Sequence, residues 1–144
     1  MPITHSALAT TVALAALTTL TTGTLVATQA RAGEPVSPLA VSPTVSPDVE
    51  RIVYSTDGLS SCPKGRFCTE TWDPVKKSWK IHVFWKCGTY ALSDWEGVGA
   101  YINNQDGAYA KVLNKDKKLV WPEIPPNNKK GWGNWSDAWY IRPC

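Results

Sequence analysis

The clearest hydrophobic pattern in the chain is an alternation of apolar and polar residues over positions 79–86. One face of this segment collects the apolar residues Trp79, Ile81, Val83 and Trp85. The opposite face collects Lys80, His82 and Lys86, and only Phe84 departs from the pattern. Period-two alternation of β-branched and aromatic residues predicts a strand with one buried face. His82 is therefore expected to lie exposed on the polar face.

Shorter apolar stretches between turn residues predict further strands. These stretches lie at 50–54, 66–72, 99–102, 108–113, 118–121 and 138–142. No segment offers a long helical period free of Gly or Pro, and Gly131 and Gly133 favour an irregular loop near the carboxyl end. Short strands at close intervals predict an all-β fold, a small sandwich rather than a barrel with a ligand-sized lumen.

The first third of the chain lacks this pattern and predicts a signal peptide followed by a tether. Residues 1–30 contain no Lys, Arg, Asp or Glu, and Ala30-Arg31-Ala32 fits a signal-peptidase site, so residues 1–32 are expected to be cleaved. The apolar run is shorter than the roughly 18 residues that a membrane anchor needs. Proline recurs at 35, 38, 43 and 47, so residues 33–48 are expected to form an extended linker or pro-segment outside any sheet. The β-sandwich domain is predicted to span 49–144.

Composition places this domain among small secreted proteins stabilised by disulfides. The chain has 144 residues, 4 Cys and a net charge of +3, a balance too even for a nucleic-acid binder. The four Cys of an exported chain indicate two disulfides, for which three pairings are possible. The short loop between Cys62 and Cys68 favours the pairing of Cys62 with Cys68, which leaves Cys87 to pair with Cys144. Zinc is disfavoured because no C-x-x-C pair is present. A secreted, extracellular monomer without a membrane span in the mature chain is expected.

Catalytic chemistry is poorly represented in the sequence. After removal of the signal peptide, His82 is the only histidine, and a His on the polar face of a strand is a poor general base. Asp94 with Glu96 and Glu70 with Asp73 form carboxylate pairs in sequence, but all four resemble ordinary turn and edge residues. We therefore predict a non-catalytic protein with no catalytic residue, no metal site and no cofactor.

Seven of the 8 Trp residues divide into two groups. Trp79, Trp85 and Trp95 lie in strand-like surroundings and are predicted to be core residues. The second group lies near Pro, Gly and Asn, where either packing or an exposed binding surface is possible; its members are Trp121, Trp132, Trp135 and Trp139. Exposed aromatic planes of this kind bind sugars or anchor protein interfaces.

Two segments have distinctive patterns. Residues 61–70 contain Cys62-Pro63-Lys64-Gly65-Arg66-Phe67-Cys68, a C-P-x-G-x-x-C motif, and residues 87–105 run from Cys87 through a Trp/Gly-rich corner to Asn-Asn-Gln. These segments look like the opening motif and the central segment of the peptidase inhibitor I36 family, small secreted proteins found mainly in actinobacteria. With the strand between them, the resemblance covers roughly residues 61–113.

The resemblance implies a fold and an activity. The fold would be βγ-crystallin-like, with two Greek-key sheets, and the activity would be inhibition of a secreted protease, in the characterised case a metalloprotease of the thermolysin type. The candidate inhibitory loop is Cys62–Cys68, presenting Lys64, Arg66 and Phe67. The chain lacks the second close Cys pair that carries the inhibitory loop in the characterised type, so no reactive bond is assigned. The calcium motif of βγ-crystallins is not intact at 93–96 or 134–137, so calcium is not predicted.

The sequence thus predicts a secreted, non-catalytic, peptidase-inhibitor-like binding domain whose partner is a secreted protease. The first alternative is a carbohydrate or cell-wall binding module that uses exposed Trp residues, with a polysaccharide as its partner. The second alternative is a small toxin-like effector of related fold.

Overall fold

The computed structural model describes residues 39–144, so the predicted signal peptide lies outside the described residues. Within them the chain forms nine β-strands and a 3-10 helix at Trp135–Asp137. The strands are β1 (Thr44–Ser46), β2 (Arg51–Ser55), β3 (Arg66–Asp73), β4 (Ser78–Phe84), β5 (Tyr90–Ser93), β6 (Val98–Asn104), β7 (Lys111–Leu113), β8 (Lys130–Asn134) and β9 (Tyr140–Arg142). No helix within residues 39–144 is long and apolar enough to cross a membrane.

Two antiparallel sheets contain all nine strands. The four-stranded sheet has the order β1-β5-β9-β7, and the five-stranded sheet has the order β2-β4-β3-β6-β8. Disulfides join Cys62 to Cys68 and Cys87 to Cys144. The predicted all-β, two-sheet fold with two disulfides is therefore confirmed, as is the favoured Cys pairing.

The main core lies between the facing sides of the two sheets, which we call the inner faces. The five-stranded sheet contributes Phe67 and Phe84, whose ring centroids are 5.9 Å apart. The four-stranded sheet contributes Tyr90 and Ile141, and Tyr90 meets Phe84 edge-on at 4.9 Å. Trp135 of the 3-10 helix is fully buried in the same cluster. Aromatic rings in edge-on contact supply much of the apolar area that a domain of this size can bury.

Strand β4 is buried on both of its faces, and the prediction that His82 is exposed is wrong. His82 pairs with Thr69 across the β3–β4 ladder, lies on the inner face and is fully buried. The opposite face carries Ile81 and Val83, which pack in a second cluster under the loop residue Leu59. Since the β2–β3 loop covers that outer face, the alternation at 79–86 does not separate a buried side from a solvated one.

Two of the three Trp residues predicted for the core are only partly buried or exposed. Trp95 is buried as predicted, and Trp79 is half-buried in an edge-on contact with Trp72. Trp85 is 51% exposed, so its assignment to the core is wrong. Trp85 follows the end of β4, where the outer face is no longer covered, and its ring packs with Arg66 and Lys86.

The segment with Gly131 and Gly133 is the edge strand β8 rather than an irregular loop. A Cβ atom at Gly131 would lie 2.4 Å from the Tyr101 ring, and one at Gly133 would lie 2.2 Å from the Trp121 ring. Both glycines therefore let an aromatic ring pack directly on the strand backbone, a common reason for Gly within a strand. By contrast, the predicted strand at 118–121 contributes only an isolated bridge from Leu119 to Leu113.

The Pro-rich segment joins a sheet, contrary to prediction. Its Thr44–Ser46 stretch forms β1 and pairs with β5 at the edge of the four-stranded sheet. Pro43 and Pro47 flank this three-residue strand, and proline is tolerated at the ends of edge strands. We call residues 39–48 the N-terminal strap.

Candidate functional site

The Cys62–Cys68 loop is a tight turn, held by its disulfide, by a hydrogen bond within the turn and by hydrogen bonds to Asn104. The Arg66 N–H donates to the Pro63 carbonyl at 3.2 Å, and Gly65 between them has φ +77°, as the third position of a type II turn requires. Asn104 of β6 fixes the turn from outside. The Asn104 carbonyl accepts from the Gly65 N–H at 2.7 Å, and its side-chain Nδ2 donates to the Cys62 carbonyl at 2.8 Å. The loop is therefore rigid before any partner binds.

Lys64 is the only predicted loop residue that the turn presents freely. Its side chain is 83% exposed, and its Nζ lies 3.9 Å from the equally exposed Asp106 carboxylate, a pairing that contributes little in water. Phe67 is fully buried in the main core, so its predicted role in the loop surface is wrong. Arg66 is engaged by the Glu50 carboxylate and by the Trp85 ring, with its guanidinium 5.4 Å from the ring centroid. The loop thus offers one free cation at its tip.

The four candidate binding Trp residues separate into a packed pair and an exposed pair. Trp135 is fully buried, and Trp121 is half-buried between Tyr101 and Trp135 at centroid distances of 5.6 and 4.8 Å. Trp132 is 59% exposed and Trp139 is 50% exposed. Trp132 lies on the outer side of β8, where Lys130 Nζ is 4.5 Å from its ring centroid. Of the four candidate binding Trp residues, Trp132 and Trp139 are therefore the two whose rings a ligand can reach.

Trp139 borders an open groove of about 540 Å³ at the end of the sandwich. Asp94 and Glu96, from the corner between β5 and β6, line the groove together with the hydroxyls of Ser93 and Ser136. Neither carboxylate has a salt-bridge partner among the described residues. The groove thus combines one half-exposed indole with two free carboxylates.

A second depression, of about 430 Å³, adjoins this groove. Asp94 and Glu96 line it as well, and on its far side lie Trp72 and Pro74. Trp72 is not among the binding aromatics predicted from the sequence, and it falls within the strand predicted at 66–72. The signal that could have found it is the β3 alternation, which places Trp72 on the outer face beside Trp79.

A buried polar cluster lies on the inner face beneath the N-terminal strap. Lys80 Nζ donates to the Pro43 carbonyl at 2.6 Å, and Trp95 Nε1 donates to the Thr44 carbonyl at 2.8 Å. The Ser42 hydroxyl donates to the Asp73 carboxylate. These hydrogen bonds explain why the strap packs on the domain although it contains Pro43 and Pro47.

The titratable groups of this cluster have shifted pKa values. Burial opposes ionisation of Asp73, but hydrogen bonds from Ser42 and from two backbone N–H groups, together with the Lys80 charge, lower its pKa overall. Burial lowers the pKa of His82 to about 3, and the nearby Lys80 charge adds to this effect. Neither ring nitrogen of His82 has a hydrogen-bond partner among the described residues. His82 is thus a neutral, enclosed side chain whose ring is tilted by 30° against the Trp95 ring, with the two centroids 4.6 Å apart.

Nothing in this cluster is open to a substrate, because His82 and Asp73 are fully buried. Across residues 39–144, no group of three His, Cys, Asp or Glu side chains lies close enough together to hold a metal ion. Two surface features that can meet another molecule are the Lys64 turn and the Trp139 groove.

No protein-family model, curated protein or solved structure matches this chain at a significant level.

Proposed function

We propose that this protein is a secreted, non-catalytic inhibitor of an extracellular peptidase, and that Lys64 on the Cys62–Cys68 turn enters the specificity pocket of that peptidase. The observation that carries the proposal is a rigid disulfide loop with one free cation at its tip. Because the loop is ordered before binding, little conformational entropy is lost when a partner encloses it. The resemblance of residues 61–70 and 87–105 to the I36 family supports the same activity.

The chemistry of the loop indicates which kind of peptidase it fits. Phe67 is buried, so the loop has no large apolar side chain to place in a hydrophobic pocket. The Lys64 ammonium instead suits a pocket that contains a carboxylate, where a desolvated ion pair adds specificity. The Lys64–Gly65 bond lies inside a tight turn rather than an extended strand, which disfavours its alignment for cleavage. A bound loop of this shape blocks the cleft without being consumed.

Replacement of Lys64 tests this proposal directly. The wild-type chain, titrated against purified extracellular peptidases with acidic and with hydrophobic pockets, is expected to inhibit the acidic class stoichiometrically. Lys64→Ala should weaken inhibition by at least about 100-fold, as expected for a central interface residue. Residual activity against a peptide substrate measures the effect.

Lys115→Ala is the matched control, because Lys115 is also an exposed turn lysine but lies on the loop after β7. The control variant should inhibit as well as the wild-type chain. Equal inhibition by Lys64→Ala and wild type, or no inhibition of any acidic-pocket peptidase, would contradict the proposal.

A second candidate function, polysaccharide binding, is favoured by the Trp139 groove. Sugars present apolar C–H faces that stack on an indole and hydroxyls that donate to carboxylates, and the groove offers both partners in Trp139 and the Asp94–Glu96 corner. The adjoining depression beside Trp72 would extend the contact along a polymer.

Retention on insoluble chitin, cellulose and peptidoglycan tests this second function. If it holds, Trp139→Ala should reduce retention on the binding polymer by about tenfold or more, since stacking aromatics are dominant contacts. Trp132→Ala removes an equally exposed indole outside the groove and should leave retention unchanged. Similar losses in the two variants would show that the groove is not the binding surface.

A further inference from the structure

Sheet edges expose backbone groups that can pair with another chain, and three of the four edges in this protein are protected. Strand β1 is flanked by Pro43 and Pro47. The free side of β7 is covered by the following segment, where the Val120 N–H donates to the Val112 carbonyl at 2.9 Å. Strand β8 begins with Lys130 and contains two glycines. Proline, lysine, glycine and covering segments are the usual means of preventing edge pairing.

The fourth edge, β2, has one charged residue, Arg51 at its first position, and lacks the proline, glycine and covering segment of the other edges. Its sequence is Arg-Ile-Val-Tyr-Ser, and it pairs with β4 on one side only within the described residues. Ile52, Val53 and Tyr54 are 44%, 38% and 44% exposed. All three residue types favour strands, and together they form the kind of open apolar edge that accepts another strand.

We propose that β2 is a self-association surface and that two copies of this chain pair antiparallel through their β2 strands. The pairing would join the two five-stranded sheets into one continuous sheet. A two-fold axis through Val53 makes the contact closed and self-complementary, as symmetric dimers require.

Pairing in this register matches the side chains of the two strands. Val53 lies opposite Val53 of the second copy, and Ile52 lies opposite Tyr54. An open depression of about 460 Å³ adjoins β2, lined by the apolar Val45, Val49 and Ile52 and by the charged Asp48, Glu50, Arg51 and Lys80. It can receive the Tyr54 ring, whose hydroxyl donates to the Asp73 carboxylate of its own chain at 3.4 Å. Apolar and aromatic cross-strand pairs of this kind stabilise antiparallel sheets.

Charge complementarity favours a second copy over an unrelated strand. In the antiparallel register Arg51 lies opposite Ser55 of the second copy, and Asp57 follows in the bend directly after that strand. A long side chain can reach beyond the residue opposite it, so each Arg51 can approach an opposite charge. No two like charges of the strands lie opposite each other. The pairing would replace the monomer expected from the sequence with a dimer.

Sedimentation velocity of the full chain over a concentration series tests the proposal. A five-residue strand pair buries less than the roughly 1,200 Å² of a stable interface, so dimerisation is expected in the micromolar range. Val53→Lys and Val53→Glu each place like charges opposite each other at the two-fold axis. Each variant alone should self-associate at least about tenfold more weakly than wild type.

An equimolar mixture of Val53→Lys and Val53→Glu should restore dimers, because residue 53 then meets an opposite charge. Val75→Lys, which introduces the same charge at a similarly exposed valine in the β3–β4 turn, should dimerise like wild type. Thermal melts of all variants establish that each is folded. A wild-type chain that stays monomeric at about 1 mM, a Val53→Lys variant that dimerises normally, or a mixture that fails to dimerise would each overturn the proposal.

Discussion

Acidification to about pH 4.5 should lower the free energy of unfolding by about 2–3 kcal/mol through His82 alone, and His82→Phe should remove that loss. In the folded domain the pKa of His82 is about 3, whereas an unfolded His titrates near 6.5. Below pH 6.5 the unfolded chain therefore binds a proton that the folded domain does not. The stability that depends on a neutral His82 is complete above pH 6.5 and is lost progressively as the pH falls towards 3.

The structural reason is that a charged imidazole has no favourable place beneath the strap. Lys80, two residues along β4, repels the imidazolium, and Asp73 of β3 is the one acidic group that offsets this repulsion. Phenylalanine fills a similar volume beside Trp95 and needs no hydrogen-bond partner. Since neither nitrogen of His82 is hydrogen-bonded within the described residues, the substitution should be close to neutral at pH 7.

Urea unfolding of the wild-type chain and of His82→Phe at pH 7, at pH 5.5 and near pH 4.5 measures this difference. Asp73 affects the stability over a separate pH range. Its pKa is lowered from 3.8 in the folded domain, so the stabilisation that its ionised form provides is lost only as the pH falls below 3.8. His5 lies outside the described residues and is present in both chains, so it does not enter the comparison. If both proteins lose the same stability over this pH range, His82 does not cause the acid sensitivity.

Trp135→Ala is expected to destabilise the domain by about 3–5 kcal/mol, a large part of the total stability of a small domain. Trp135 is fully buried, lies 5.1 Å from Trp95 and 4.8 Å from Trp121, and donates from Nε1 to the Glu70 carbonyl at 2.9 Å. Alanine would leave a cavity between the sheets and an unsatisfied carbonyl on β3. Chemical denaturation monitored by far-ultraviolet circular dichroism measures the loss.

Trp139→Ala provides the comparison, because Trp139 is four residues away but half-exposed. Its removal should cost less than about 1 kcal/mol, as for most surface substitutions. Trp135→Phe keeps an aromatic ring and should lie between these two variants. Equal destabilisation by Trp135→Ala and Trp139→Ala would show that Trp135 does not have the packing role assigned to it.

The sequence was sufficient for the fold class because its strongest signals are local. The alternation at 79–86 forms β4, and the short spacing of Cys62 and Cys68 reflects a turn with its own Pro and Gly. Such features depend on residues that are close together in the sequence, so they form however the two sheets are arranged. The exposure of individual side chains depends instead on which distant segment covers each face.

His82 and Phe67 show the consequence most clearly. The alternation predicts an exposed His82 because it cannot reveal that Leu59 and its loop cover the opposite face of β4. The Cys62–Cys68 spacing predicts Phe67 on the loop surface, whereas the β3 register directs it into the core beside Phe84. Gly131 and Gly133 predict a loop for a related reason, since the rings that pack on them come from Tyr101 and Trp121.

The Cys87–Cys144 bond closes a covalent ring with a sequence separation of 57, and the ring contains β5 to β9, with strands from both sheets. Closing a loop of this length restricts the unfolded chain by about 4 kcal/mol. Reduction removes that restriction, while acid acts separately through His82. Either treatment alone leaves part of a typical stability of about 5–15 kcal/mol, but together they exceed its lower limit. A domain near that limit would tolerate acid in oxidising surroundings and would unfold where acid and reductant occur together.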